Sequence, residues 1–587
     1  MYKKILPIDF SKLKTWWEST MAVEQFVITN VKKDLQQILA GVYSPVQLSE
    51  LIPQLVEVVS QYRTLGSKKT WVDQNDVILI TYGDSIGKQG EAPLKTLHHF
   101  LNDHAKNMLS AVHLLPCFPY TSDDGFSVVD YWKINPDLGA WNDVKDLSND
   151  YELMFDGVIN HISQASDWFQ GYLKGEAQYR DFFTEADPDR DYSSVTRPRA
   201  MPLLTTFETA QGTKHIWTTF SADQIDLNFR CPQVFKKIVE LLLFYAQQGA
   251  SFIRLDAIGF MWKELDTPCI HQPQVHALVQ AMRAVLDAVA PHVKLITETN
   301  VPHKDNISYF GNGENEAHLV YQFPLPPLTL HTLQTGNSEK IVDWMDSLEP
   351  TSKRTTFFNF LASHDGIGVR PVEGILNKEQ MNHLRDLVQI NGGRVSYKDN
   401  GDGTQSPYEL NINYFDAIRD ITLDDQTNLN RFMAAQSILI SMAGVPGVYI
   451  HSLLGSSNDL EGLESLGYNR AINREKLDLD KLVAELRNPD TRRYQVLNRF
   501  EQLLSLRKNE PAFSPSASQR VVKTDSRLIT FVRDEKIAVA INVSNQSVVL
   551  NTSILLDGLN NDVISGSRVE PTTTLAPYQV MWLSNIK

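Results

Sequence analysis

Four acidic residues close apolar runs in this 587-residue chain, and they mark the places where chemistry could be done. Asp156 is followed by Asn160 and His161, Asp256 is preceded by Arg254, Glu298 stands between two threonines, and Asp365 follows His364. Charges that punctuate buried-type strands are costly unless something uses them. Two carboxyl groups about 5 Å apart can carry out retaining glycosyl transfer, one attacking the anomeric carbon and one protonating the leaving oxygen. An arginine two residues before an attacking carboxylate shares its strand face and can keep it ionised. A third carboxylate can hold sugar hydroxyls and stabilise the positive charge that develops.

For these residues to act together, the elements carrying them must converge. Eight short apolar runs recur along the chain: 76–84, 109–116, 151–160, 250–259, 293–300, 318–325, 355–365 and 444–452. Each is continuous rather than alternating, as a parallel sheet covered on both faces requires. Helical patterns such as 232–249 and 274–291 lie between them. Eight strands with intervening helices predict a (β/α)₈ TIM barrel over 71–510, whose strand ends meet at one mouth. Two intervals, 162–230 after strand three and 366–430 after strand seven, are too long for plain loops and are expected to cover the substrate. Residues 1–70 read as an amphipathic N-terminal helical extension that either packs on the barrel or mediates self-association. Residues 511–587 read as a small C-terminal antiparallel β domain. No Gly-rich dinucleotide or phosphate-loop fingerprint follows any of the strands.

The net charge of −15 argues against nucleic acid or an anionic membrane as partner, so an anionic ligand would need a local cationic site. Three scattered cysteines give neither a disulfide framework nor a zinc pattern. No signal peptide and no membrane span are read, and a cytoplasmic location is expected.

The segments DGVINH, FIRLDAIG, ITET and ASHDGIG resemble, in order and spacing, the four short regions of the α-amylase family, glycoside hydrolase family 13. The resemblance implies Asp256 as nucleophile, Glu298 as general acid/base and Asp365 as transition-state stabiliser. It implies Arg254, His161 and His364 as glucose-positioning residues. Within the family, SDDGFSVVDY and AINR resemble the sucrose phosphorylase-like group, which implies Asp123 and Arg474 as partners closing the pocket behind one glucose. TRPRAMPLLT and FSADQIDLN are similar to the same group and bring Arg197, Arg199 and Gln224 towards the acceptor. Two arginines flanking a proline suit phosphate, because guanidinium donors match its oxygens. The implied reaction is phosphorolysis through a glucosyl-enzyme, giving α-glucose 1-phosphate.

The segments at 359–376, 392–417 and 259–264 look more like group members that act on 2-O-α-glucosyl-glycerate than like those acting on sucrose. Fructose, fructose 6-phosphate or glycerol as acceptor, and water or a sugar in place of phosphate, are the alternatives. A carboxylate-bearing acceptor needs a cationic contact, for which Lys304, Arg370, Arg394 and Lys398 are candidates by position, with His303, Tyr408 and Glu409 shaping the acceptor pocket. No metal and no cofactor are expected. Some family members place calcium near the asparagine that matches Asn160, but no clustered oxygen-ligand loop accompanies it here.

Overall fold

The computed structural model describes residues 27–62, 69, 71–199, 201–399 and 404–585. Within the expected N-terminal extension, residues 1–26, 63–68 and 70 lie outside the described residues. The rest of that stretch forms a helix over 27–39 and a second over Pro45–Gln61, which Ser44 caps by accepting from the Gln47 amide at 3.3 Å.

Eight parallel strands close into a barrel in chain order: β1 (Ile78–Thr81), β2 (Ala111–Leu114), β3 (Glu152–Gly157), β4 (Ala250–Leu255), β5 (Lys294–Thr297), β6 (Leu319–Tyr321), β7 (Thr356–Phe360) and β8 (Val445–Tyr449). Each lies within one of the eight apolar runs read from the sequence. Helices Pro93–His104, Trp141–Asp150, Pro232–Gln247, Pro273–Val289, Leu325–Thr335 and Asp425–Ser441 form the outer layer. Proline opens three of them (Pro93, Pro232, Pro273), where its missing N–H costs no hydrogen bond. Strand residues such as Leu79, Val112, Phe155, Ile253 and Leu295 are buried in one core continuous with the helix faces. Inside the barrel, Gly447 on β8 makes room for Phe358 on β7; a Cβ at Gly447 would stand 2.4 Å from that ring.

Register decides which strand ends face each other. Asp156 on β3 pairs with Arg254 on β4, and Leu255 on β4 pairs with Thr297 on β5. Asp256 and Glu298 each sit one residue beyond that last pair, so they stand at equal height on strands about 4.8 Å apart. Side chains two residues apart share a face, so Arg254 and Asp256 both turn inward.

After β3 the chain forms helix Asp167–Leu173, a hairpin of Leu204–Thr209 with Gly212–Trp217, and strand Gln224–Asp226 paired antiparallel to His161–Ser163. After β7, Ile367–Gly368, Gln405–Asn411 and Arg394–Asp399 make a three-stranded antiparallel sheet beside helix Lys378–Ile390. Both excursions return residues to the barrel mouth. Residues 519–584 build a six-stranded and a two-stranded antiparallel sheet.

Candidate active site

The inward faces of β3, β4 and β5 meet around one guanidinium. Arg254 Nη1 donates to Asp156 and, at 2.8 Å, to Asp256 Oδ1, while its Nη2 stands 3.9 Å from Glu298 Oε2. Rings of Phe126 and Tyr321 flank it, each 5.6 Å from the guanidinium carbon. His113 holds the far oxygen of Asp156 at 2.7 Å, and both side chains are fully enclosed. Burial pushes the Asp156 carboxyl up, but Arg254 and then His113 overcome it and hold the group down at about 2. Asp156 therefore stays a fixed anion behind the arginine, and Arg254 is free to serve the two carboxylates in front.

Those two are unequal. Burial lifts both, with Arg254 pulling the other way. Asp256 has the close contact to the guanidinium and a further pull downward from His161; Glu298 lies farther off, is raised by the charges of Asp256 and Asp365, and is pushed up to about 7. Both carboxyls therefore end above their ordinary values, and Glu298, raised to about 7, is the one suited to carry a proton shared by the pair. Ala257 has a left-handed backbone, φ 49°, which turns its N–H back to Glu298 Oε2 at 3.1 Å.

Asp365 faces the pair from the turn that follows β7. Burial would raise its pKa, but Arg470, His364, Arg474 and Arg254 together hold it well below the usual carboxylate range. Arg470 makes the direct contact, 2.6 Å to Asp365 Oδ1, and is itself gripped by both oxygens of Glu409 at 3.0 and 2.8 Å. Glu409 also accepts from the Gly366 amide at 2.6 Å, fixing the loop that carries Asp365. His364 stacks on Phe126 with ring centroids 4.7 Å apart, and burial lowers its pKa to about 3. His161, lowered by burial, lies 2.9 Å from the Phe126 carbonyl oxygen.

One cavity is lined by Asp123, His161, Arg199, Gln224, Arg254, Asp256, Glu298, His364, Asp365, Arg370, Tyr408, Glu409 and Arg470. Burial pushes the Tyr408 hydroxyl up to about 12, so it serves as a neutral hydrogen-bonding group.

Several expected contacts are rearranged. Asp123 does not pair with Arg474: its Oδ2 accepts from Arg199 at 2.9 Å and from Gln224 at 3.2 Å. Arg474 bonds the neighbouring Asp124, donates to the His364 carbonyl at 2.8 Å, and does not line the cavity. The cause is a turn in which Asp123, Asp124 and Gly125 all have positive φ (53°, 47° and 106°), so the two aspartates splay apart. Of the expected arginine clamp, Arg199 lines the cavity but is engaged by Asp123, whereas Arg197 is outside the lining. Lys304 is exposed, and His303 packs with its ring 6.1 Å from Phe357; neither reaches the cavity. Glu409 lines the cavity with both oxygens engaged by Arg470. Arg470 was missed by sequence reasoning, although the repeated Asn-Arg in NRAINR offers it four residues before Arg474.

Beside Asn160, a lysine ammonium already occupies the oxygen cluster. Lys263 Nζ lies 2.6 Å from Asp226 Oδ2, 2.7 Å from the Phe260 carbonyl and 3.3 Å from Asn160 Oδ1. Among the described residues no group of three or more histidines, cysteines and carboxylates is arranged to hold a metal, and no helix is long and apolar enough to cross a membrane.

A closed parallel barrel with a carboxylate-lined mouth defines the architectural class. The chain belongs to the α-amylase family: the profile described as "Alpha amylase, catalytic domain" matches residues 105–390, and full-length relatives extend the match. The glucosylglycerate phosphorylase of Allomeiothermus silvanus is 46% identical over 91% of this chain and 95% of its own length. That of Escherichia coli K12 is 43% identical over 94% of this chain and 98% of its own. The crystal structure of sucrose 6F-phosphate phosphorylase from Thermoanaerobacter thermosaccharolyticum superposes with a TM-score of 0.70 at 25% identity, covering 80% of this chain and 94% of that one.

Proposed function

We propose that the protein is a retaining α-glucoside phosphorylase converting 2-O-α-D-glucosyl-D-glycerate and phosphate to α-D-glucose 1-phosphate and D-glycerate. Asp256 attacks the anomeric carbon and forms the glucosyl-enzyme. Glu298 gives its proton to the departing O2 of glycerate. Phosphate then attacks the same carbon from the vacated face. Glu298, now a carboxylate, takes the proton from phosphate, so two inversions restore the α configuration. Asp365 supplies fixed negative charge beside the oxocarbenium-like transition state, and Asp123, His161, Gln224 and His364 offer groups for the glucose hydroxyls.

The observation that carries this reading is the asymmetry of the pair on β4 and β5. One guanidinium sits 2.8 Å from Asp256 and 3.9 Å from Glu298; burial raises both carboxyls, and Glu298, the farther one, is pushed up to about 7. A nucleophile and an acid need that division of labour. The choice of glycerate is supported by the full-length similarity to proteins named for glucosylglycerate. The test mixes α-glucose 1-phosphate with D-glycerate, glycerol, fructose, fructose 6-phosphate or water and measures phosphate release. Glycerate is expected to give the fastest release and an α-linked product, with Asp256→Ala inactive. Equal release in water alone would make the protein a hydrolase, and full activity of folded Asp256→Ala would end the mechanism.

A further inference from the structure

Four arginines line the cavity, and three are already neutralised. Arg254 is held by Asp156 and Asp256, Arg470 by Asp365 and Glu409, and Arg199 by Asp123. The fourth, Arg370, makes no ion pair among the described residues, and its Nε is enclosed without a hydrogen-bond partner. It begins the 3₁₀ turn Arg370–Val372, five residues beyond Asp365 and two beyond Gly368. Gly368 packs so tightly on Asn300 that an added Cβ would stand 2.7 Å from that side chain; Asn300 also lines the cavity and has an enclosed, unpartnered Oδ1. The same cavity is also lined by the apolar side chains of Phe260, Ile270, Val301 and Ile412. An enclosed guanidinium edge with no acceptor is unfavourable until an anion arrives.

The other candidate cations are placed elsewhere. Lys304 is exposed and outside the cavity, Lys398 lies 3.4 Å from Glu373, and Arg394, also exposed, donates to the Gly392 and Gly393 carbonyls. A glycerate leaving from glucose carries its carboxylate one carbon from the oxygen that Glu298 protonates, so its charge must be met inside the same cavity. We infer that Arg370 is the carboxylate anchor of the acceptor subsite, the residue that selects a 2-hydroxy acid over a neutral polyol. This rests on the glycerate reading above. The guanidinium offers two parallel donors to the two carboxylate oxygens, a match that a neutral hydroxymethyl group cannot reproduce.

The experiment compares wild type, Arg370→Gln and Arg370→Lys in glucosyl transfer from α-glucose 1-phosphate to D-glycerate and to glycerol, in hydrolysis by water, and in the KM for phosphate during phosphorolysis. Arg370→Gln is expected to lose about 10- to 100-fold in kcat/KM for D-glycerate. Hydrolysis, glycerol transfer and the phosphate KM should change by less than about threefold, and Arg370→Lys should recover part of the loss through charge alone. Retained glycerate efficiency in Arg370→Gln overturns the assignment. So does a parallel loss with water and glycerol, which marks a structural role, or a rise in the phosphate KM as large as the glycerate loss, which marks a phosphate site. A wild-type enzyme that ignores glycerate sinks the activity reading instead, before any variant is compared.

Discussion

At the scale of single residues, Glu298 combines two properties that rarely coexist: it is enclosed, and it must change charge in every half-reaction. Enclosure and the nearby charges of Asp256 and Asp365 push its pKa to about 7, against an ordinary glutamate near 4.3. Glucosyl-enzyme formation from the glycerate donor requires the protonated form. Phosphorolytic kcat/KM should therefore hold below about pH 7 and fall about tenfold per unit above it. The stability sign is opposite to that of a salt-bridged carboxylate. The folded state binds the extra proton, so this group's favourable contribution is complete below pH ~4.3 and is lost as pH rises towards ~7. Glu298→Gln removes the titrating group: turnover should drop roughly 10²- to 10⁴-fold, and the alkaline limb should disappear with it. A pH–rate profile of that variant with the same fall above pH 7 would assign the limb to another group.

At the scale of elements, what the sequence reveals and what it hides divide along one physical line. A strand buried on both faces must be a continuous apolar run, so all eight barrel strands could be read, as could the acidic residues that end them. Side-chain pairings set by backbone turns could not. Asp123 and Asp124 are adjacent and chemically identical, and only three successive positive φ angles send one to Arg199 and the other to Arg474. The Arg470–Glu409 grip joins residues 61 apart across two excursions, which no local pattern announces. Lys263 belongs to the same hidden class: it leaves the turn after β4 and neutralises Asp226, whose strand Gln224–Asp226 pairs with His161–Ser163. Its ammonium therefore pins the β3 excursion to the barrel mouth. Lys263→Met keeps the length but strands a fully buried Asp226. The variant should lose about 3–5 kcal/mol of unfolding free energy, measured in urea, together with activity. A loss below about 1 kcal/mol would mean that the Thr219 amide and hydroxyl, each 2.7 Å from Asp226, suffice to hold that charge.

At the scale of the whole molecule, the C-terminal sheet is fastened to the barrel at the approach to β8. One face of the sheet, with Phe531, Val539 and Trp582, belongs to the barrel's own core, while Leu528, Val532, Ala540 and Leu583 form a separate apolar layer on the other face. Trp582 is fully buried, rests on Phe513 with centroids 4.4 Å apart, and donates to Ser441 Oγ at 3.0 Å. Arg533 and Arg507, both fully enclosed, donate to backbone carbonyls of the same region: Ser441 and Ser514 for Arg533, Ile440 and Phe513 for Arg507. Ser441 ends the helix that leads straight into β8. At the end of β8, Tyr449 donates to the Asn473 carbonyl at 2.8 Å, and Asn473 Nδ2 donates to the Asp365 carbonyl at 2.9 Å. A chain of contacts thus runs from the sheet to the site. The sheet and the barrel should therefore unfold as one cooperative unit rather than as two domains on a linker. Trp582→Ala should cost about 3–5 kcal/mol, lower the Tm, and shift far-UV circular dichroism and loss of activity together. If activity outlasts an early, separate loss of β signal, the sheet is an independent appendage and the shared core does not couple it to catalysis.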